Sequence, residues 1–314
     1  KEIIQELDAR GILHSIASKN NFEDAMAKLK EFKLDQYFLY PQIHWNPKSI
    51  SIGRIQESLN IGIDTLLFID DQPFERDEVA NSFPQVETLD AVEYRDLLER
   101  KRLNPRFITK DSKRRRMMYL EEMERNIEEE EYQGPKEEFL ASLDMKFVIT
   151  EAVEEDLKRA EELTVRTNQL NATGRTYDYD ELKAFMHSNH HKLFVCELTD
   201  RYGSYGKIGL SLIEETDKHW HLKLLLMSCR VMSRSVGSVL LSFIMKEARK
   251  SGKKLLADFK QTDRNKRMYA AYRFANFKEL SNDGNGNIVM ESDLTMIQDF
   301  PHYIDISHPE FKPA

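Results

Sequence analysis

Cysteine is nearly missing from this chain: two thiols in 314 residues, Cys196 and Cys229. Two cysteines so far apart in sequence form neither a disulfide framework nor a metal-ligand spacing, which places the chain in a reducing, cytoplasmic compartment. Long apolar runs are missing as well. No stretch approaches the ~18 apolar residues of a spanning helix, and no signal-peptide pattern is present, so no membrane partner is expected. Positive charge is not in excess. Lys and Arg number 46 against 54 Asp and Glu, a formal net charge of -8, and this disfavours a nucleic-acid partner. There is no internal repeat, and the only low-complexity tract is the short acidic run Glu128-Glu129-Glu130-Glu131. What remains is 32% charged and 40% hydrophobic residues, a globular, highly soluble chain long enough for two domains.

One stretch organises the first part. Thr65-Leu66-Leu67-Phe68-Ile69 runs as an apolar strand into Asp70-Asp71, then Gln72-Pro73, then a helix start. A short, wholly apolar run suits a buried parallel strand covered on both faces, and ligands gather beyond the carboxyl ends of such strands. Paired carboxylates there suit Mg2+; the alternative is a solvated pair that caps the helix. Around this stretch, strands at 12–17, 37–40 and 83–88 alternate with helices at 22–32 and 52–59, a doubly wound α/β pattern. Lys1 to Leu7 reads as the middle of an amphipathic helix with no cap before it, ended by Arg10-Gly11. The expectation is that the chain starts inside a larger protein.

Residues 101–144 read as a solvated helical linker, because the blocks Lys113–Arg116 and Glu128–Glu131 nearly cancel. Residues 1–100 precede it as one domain and 145–314 follow as another. In the second, helices at 153–168, 179–186, 235–250 and 265–274 accompany strands at 146–149, 193–198, 206–214, 220–227, 254–259, 276–281 and 287–292. Three consecutive strands there read as antiparallel, so the predicted fold is a mixed, largely antiparallel α/β sheet.

Two constellations carry the chemistry. In the first, Ser18 ends a strand, Lys48 opens a helix, and Asp70 and Asp71 end another strand. A hydroxyl, an ammonium and metal-binding carboxylates are what a phosphoryl group needs to be held and to have its charge spread. In this order they resemble motifs of the haloacid dehalogenase-like phosphatases, the HAD superfamily, whose fold is Rossmann-like. Ile16-Ala17-Ser18-Lys19-Asn20-Asn21, Trp45-Asn46-Pro47-Lys48-Ser49 and Phe68-Ile69-Asp70-Asp71-Gln72-Pro73-Phe74-Glu75-Arg76 closely resemble the FkbH-like branch, subfamily IIIC, in which Asn is common where Gln72 stands. The resemblance implies loading of a glyceryl unit from 1,3-bisphosphoglycerate, with dephosphorylation, onto the phosphopantetheine arm of an acyl carrier protein in polyketide biosynthesis. It also implies Mg2+ on Asp70 and Asp71, Lys48 and Asp70 in catalysis, and Ser18, Lys19 and Asn20 at the phosphate. The family nucleophile lies in an Asp-x-Asp-x-Thr strand, and the 17 residues before Ser18 contain none. The first strand is therefore expected to be cut off, or the half is a degenerate scaffold.

The second constellation is Leu224-Leu225-Leu226-Met227-Ser228-Cys229-Arg230-Val231. A thiol at a strand end, beside Arg230 and before a helix, is placed to be a nucleophile, and Arg230 and Arg234 suit phosphate. The alternative is a small buried cysteine. This stretch, with Val165-Arg166-Thr167-Asn168-Gln169-Leu170-Asn171, resembles the second half of FkbH-like proteins, which has the GNAT acetyltransferase fold. The resemblance makes Cys229 the thioester carrier, with Arg166, Asn168, Gln169, Asn171 and Arg230 at the substrate; for the three amides, at a helix end, the alternative is helix C-capping. Cys196, mid-strand, reads as core. Asn265, Tyr269, Tyr272 and Phe277 resemble the last acetyltransferase motif, with Tyr272 and Phe277 better read as core. Lys223 departs from the Asp expected in relatives. The stretch Arg230 to Gly237 holds one late glycine, so the Gly-rich pyrophosphate cradle of CoA enzymes is missing. The two rival readings are a CoA-dependent N-acetyltransferase and a non-catalytic docking module.

Overall fold

The computed structural model describes residues 1–310. Two compact units divide the chain, residues 1–124 and 125–314; the last four residues lie outside the described ones. The expected linker 101–144 is not a separate element. Leu103 is buried with Leu7, Leu89 and Leu97 in the first unit, while Phe139, Leu140 and Leu143 enter the core of the second. The apolar sides of these charged helices, which the charge blocks mask in sequence, draw each half to a different unit.

The first unit begins with α1 (Glu2–Ala9), closed by Gly11 at φ +76°, the left-handed cap that glycine suits. There follow β1 (Ala17–Ser18), α2 (Phe22–Glu31), β2 (Gln42–Ile43), α3 (Lys48–Leu59), β3 (Leu67–Asp70), α4 (Pro73–Ser82) and β4 (Glu87–Asp90). Asn21 caps α2 by accepting from Asp24 N–H, and Pro73 opens α4. β1 pairs with β2 and β3 with β4, both parallel, as two separate two-stranded sheets. The strand expected at 12–17 shrinks to β1, and the one expected at 37–40 gives way to a 3-10 turn at Asp35–Tyr37 and a single His14↔Phe38 bridge, with β2 following it. Nor is β3 covered on both faces: Phe68 is buried, but Ile69 is 37% exposed. Two 3-10 turns, Ala91–Glu99 and Lys101–Leu103, follow β4. Then come α5 (Lys110–Lys113) and α6 (Arg115–Glu131).

The second unit contains α7 (Lys136–Ser142), β5 (Met145–Glu151), α8 (Glu154–Arg166), α9 (Tyr179–Met186), β6 (His191–Asp200), β7 (Gly203–Glu215) and β8 (His219–Met227). It continues with α10 (Val236–Lys250), β9 (Lys254–Lys260), α11 (Lys266–Phe274), β10 (Phe277–Asn282), β11 (Asn287–Ser292) and β12 (Ile304–Ser307). The strands form one eight-stranded sheet in the order β10-β11-β9-β8-β7-β6-β5-β12. Only β8·β9 and β12·β5 are parallel, so the sheet is mixed and largely antiparallel, as the sequence predicts. β12 was not foreseen.

Alternation along the strands supplies two cores. Leu210, Leu212, Leu224 and Leu226 meet Leu157, Leu163 and Leu182 of α8 and α9. On the other face Phe194, Cys196, Leu225, Met227 and Phe259 join Val239, Phe243 and Ile244 of α10, with Tyr272 and Phe277. Cys196, Tyr272 and Phe277 are thus core, as read. Buried deep at the base of this unit, Arg125 donates to both carboxylate oxygens of Asp200, Nε at 2.6 Å and Nη2 at 2.9 Å.

One irregularity in the sheet prepares the site. The β8·β9 pairing runs from His219↔Lys254 to Leu222↔Ala257 and stops there. Beyond it the strands part, and the chain's own segment Leu170–Ala172 takes the space. Ala172 N–H donates to Leu225 O at 3.0 Å, Met227 N–H to Leu170 O at 2.9 Å, and Lys260 N–H to Ala172 O at 3.0 Å.

Candidate functional site

Cys229 sits where β8 leaves the sheet. Ser228 N–H is still tied to Ile208 O at 2.7 Å, and the 3-10 turn Cys229–Val231 follows at once. The sulfur is half-buried against the α10 and α11 core. Burial pushes the thiol above its ordinary range. Against burial work the backbone N–H groups of Leu170 and Gln169, the charge of Arg267, and the residue's own N–H. The two donors come from the segment that fills the parted strands, and Arg267 from the first turn of α11, where its guanidinium also meets Met232 Sδ. Burial outweighs these groups, so the resting form is the thiol; N–H donors beside it are placed to stabilise the oxyanion of an acyl group attached there.

The donors are held by asparagines. Asn265 is fully buried, and its Nδ2 donates to Asn171 O at 3.1 Å, Ala172 O at 3.3 Å and Lys260 O at 2.8 Å. Its Oδ1 accepts from Thr262 N–H at 2.9 Å. Asn171 is equally buried. Its Oδ1 accepts from the N–H groups of Thr173 and Gly174, at 3.2 and 2.9 Å, and its Nδ2 donates to Arg175 O at 3.2 Å. The side chain of Asn171 therefore closes its own turn. Asn168 is exposed and Gln169 half-buried at the same turn. Arg166 lies exposed on the last turn of α8, its Nε 3.1 Å from Glu162. Neither arginine after Cys229 points outward unengaged. Arg230 donates to Tyr205 O at 2.9 Å, and Arg234, fully buried, pairs with Glu129 at 2.9 Å. Tyr269 donates to Glu279 at 2.6 Å.

Lys223 faces a partner the sequence did not suggest. Its Nζ lies 2.7 Å from Asp258 Oδ2, while His221 Nε2 lies 2.6 Å from Asp258 Oδ1. Burial works against the Asp258 carboxylate, but the bonds from His221 and Lys223 outweigh it and hold it below the usual range. The pleat offers the signal that could have found this group: His221 and Lys223 are polar positions on one face of β8, and Asp258 lies with Lys254 and Lys260 on the face of β9 opposite its buried Leu255, Ala257 and Phe259.

In the first unit the ends of β1, α3 and β3 bring three of the expected residues together. Lys48 is buried, and its Nζ donates to Ala17 O at 2.6 Å and to Asp70 Oδ2 at 3.0 Å. Asp70 Oδ1 accepts from Gln72 N–H at 2.9 Å. Ser18 lies at this strand end with its backbone O accepting from His44 N–H at 2.9 Å. Lys19 turns to Glu75 at 2.6 Å, and Asn20 Oδ1 accepts from Asn21 N–H at 2.8 Å. Asp71 is exposed. As a cation site this donor set is short: two adjacent carboxylates, one already holding an ammonium and an N–H. No third carboxylate, histidine or thiol joins them among the described residues. The residues present do not by themselves fit Mg2+, which prefers near-octahedral oxygen ligation. No described helix is long and apolar enough to cross a membrane.

No family model matches the chain, and no curated protein matches it. Among solved structures it is similar to the ribosomal-protein-S18-alanine N-acetyltransferase of Escherichia coli: 14% identity, 49% of this chain, 97% of that one, TM-score 0.38. A putative GNAT-family acetyltransferase from Desulfovibrio desulfuricans gives 14% identity over 48% and 99% of the two chains, with a TM-score of 0.38. A putative acetyltransferase from Salmonella typhimurium, described with its cofactor acetyl-CoA, gives 17% identity over 47% and 94%, with a TM-score of 0.36.

Proposed function

We propose that the second unit is a thiol-based acyltransferase that carries its acyl group on Cys229 and passes it to the phosphopantetheine thiol of an acyl carrier protein. The observation that carries this reading is the placement of the Cys229 sulfur at the exit of β8, against the N–H groups of Leu170 and Gln169 and the charge of Arg267. The sequence resemblance to FkbH-like proteins supplies the acyl unit, a glyceryl group from 1,3-bisphosphoglycerate. The Cys229 sulfur would attack the acyl carbon of the mixed anhydride. A C–S bond forms, the C–O bond to phosphate breaks, and phosphate leaves with the electron pair while the thiol proton passes to water. The carrier thiol then attacks the thioester, and Cys229 leaves and is reprotonated. The N–H donors stabilise negative charge at each stage.

In the first unit Lys48, Ser18, Lys19 and Asn20 stand for holding phosphate, with Asp70 turned to Lys48. The nucleophile of a dephosphorylation is not among these residues, and no step here runs through Mg2+. The single, late glycine of residues 230–237 favours a carrier thiol over a CoA-dependent N-acetyl transfer, which needs a cradle for pyrophosphate. Incubation with 1,3-bisphosphoglycerate and a phosphopantetheinylated carrier, followed by intact mass measurement of both proteins, tests the reading. A glyceryl or phosphoglyceryl adduct is expected on both, and Cys229→Ala should abolish transfer to the carrier. No adduct on either protein, or undiminished loading by C229A, would refute it.

A further inference from the structure

A cavity of about 740 Å3 opens in the second unit over β9, β11 and β10, walled on one side by the turn after Asn171. It carries five charged groups: Arg175, Lys223, Asp258, Lys260 and Asp283. By count this is nearly neutral, but the bonding is lopsided. Both carboxylates are already spent. Asp258 accepts from His221 and Lys223, at 2.6 and 2.7 Å. Asp283 accepts from the N–H groups of Asn285 and Asn287, at 2.8 and 3.0 Å, and from the Asn287 side chain, at 2.5 Å. These bonds hold the Asp283 carboxyl below the usual range, with Asn287 as the largest cause.

The cations are not spent to the same degree. Lys260 makes no ion pair among the described residues. Arg175 lies over the Tyr177 ring at 4.6 Å, and its nearest carboxylate, Glu181, stands 3.8 Å away, beyond hydrogen-bonding distance. Lys223 uses one of its three protons on Asp258. Thr173, Thr262, Ser281 and Asn282 add hydroxyl and amide groups to the same wall. A surface whose acceptors are satisfied and whose donors are not is a receptor for an anion. A planar guanidinium beside two ammonium groups suits a phosphate dianion better than a carboxylate. The volume falls within the usual range of small-molecule sites.

We infer that this cavity is a binding site for a small, hydroxylated phosphate monoester, gripped by Arg175, Lys223 and Lys260. It stands apart from the role given to Cys229. The aspartates act as positioning residues: Asp258 fixes Lys223, and Asp283 fixes the β10–β11 turn that brings Ser281 and Asn282 to the rim.

The test is calorimetric titration of the full chain with glycerol 3-phosphate, at constant ionic strength and in a phosphate-free buffer. Saturable binding is expected, at least tenfold weaker in the double variant Arg175→Glu/Lys260→Glu. Both positions are exposed, so that variant folds, and circular dichroism checks that it does. The buried Lys48 of the first unit is untouched by these changes, so phosphate held there is not what the variant loses. Glycerate, which keeps the hydroxyls and replaces phosphate by carboxylate, should bind distinctly more weakly. No saturable binding, equal binding by the variant, or equal binding of glycerate would each overturn the proposal. The Cys229→Ala protein should bind glycerol 3-phosphate unchanged, so failure of the acyl-transfer reading leaves this result standing, and the reverse.

Discussion

Replacing Arg125 with Met removes one half of the most deeply buried ion pair in the second unit. Arg125 and Asp200 have side chains 1% and 0% exposed, joined through two oxygens. Taking one partner from such a pair costs about 3–5 kcal/mol, because the other charge stays buried and uncompensated. Three donors remain to Asp200 in the variant: Tyr205 hydroxyl at 2.9 Å and the N–H groups of Tyr202 and Gly203 at 2.9 and 3.1 Å. They place the expected loss at the lower end, ~3 kcal/mol. Met keeps much of the packing on the Tyr205 ring, over which the guanidinium lies at 4.0 Å. With a urea m-value of about 2 kcal/mol/M, the midpoint should fall by about 1.5 M. The protein carries its own probe. Of its two tryptophans, Trp220 is 3% exposed in this unit, while Trp45 is 75% exposed in the other. Emission on unfolding therefore reports chiefly the second unit. The double variant Arg125→Met/Asp200→Asn should recover a good part of the loss, since it removes the orphaned charge. A midpoint shift below about 0.3 M, or a double variant no better than the single, would refute the reasoning.

Asn265→Ala should release the Leu170–Ala172 segment. Three carbonyls lose a hydrogen bond from the amide, at a cost of about 1–3 kcal/mol, so hydrogen exchange at Ala172, Met227 and Lys260 should speed up by roughly 5- to 150-fold, with the amides of β6 unaffected. Glu215 predicts an acid limb. Burial opposes its charge, but bonds from Lys253, Trp220 and Lys192 win and bring it to about 2. A carboxylate depressed in the folded state stabilises above its unfolded value near ~4.3 and loses that contribution as pH falls toward the folded value. Because the group is a quarter exposed, solvent reduces the contribution to about 1–2 kcal/mol. Glu215→Gln should thus lower stability at neutral pH and flatten its fall between pH 4 and about 2 in urea titrations.

The sequence disclosed elements wherever local chemistry and tertiary packing agree. α9 starts and stops where predicted, because Asp178 and Glu181 form a reciprocal cap and Leu182 needs burial. β11 was likewise predicted with its bounds. β12 escaped notice because four residues between Pro301 and His308-Pro309 gain strand character only from the edge of β5. The same reason cut the expected strands at 12–17 and 37–40 to β1 and one isolated bridge: these apolar runs lack a long partner. At the candidate site, the position of Cys229 at a strand exit was legible from the apolar run before it. Its N–H donors were not, since a backbone amide leaves no mark in the choice of side chain. Asn171 closes its own turn, which agrees with the capping alternative for an asparagine at a helix end. Arg267, 38 positions further on, is brought in by the packing of α11 alone.

The unequal fate of the two cysteines has a practical side. Cys196 is sealed in the core, 0% exposed, and burial drives its thiol far up. Cys229 is the thiol with access to solvent. The unmodified protein is therefore already a single-attachment scaffold. A maleimide fluorophore or a nitroxide spin label would report from the mouth of β8 without any background substitution, and an electrophilic fragment library could be screened against that one sulfur by mass.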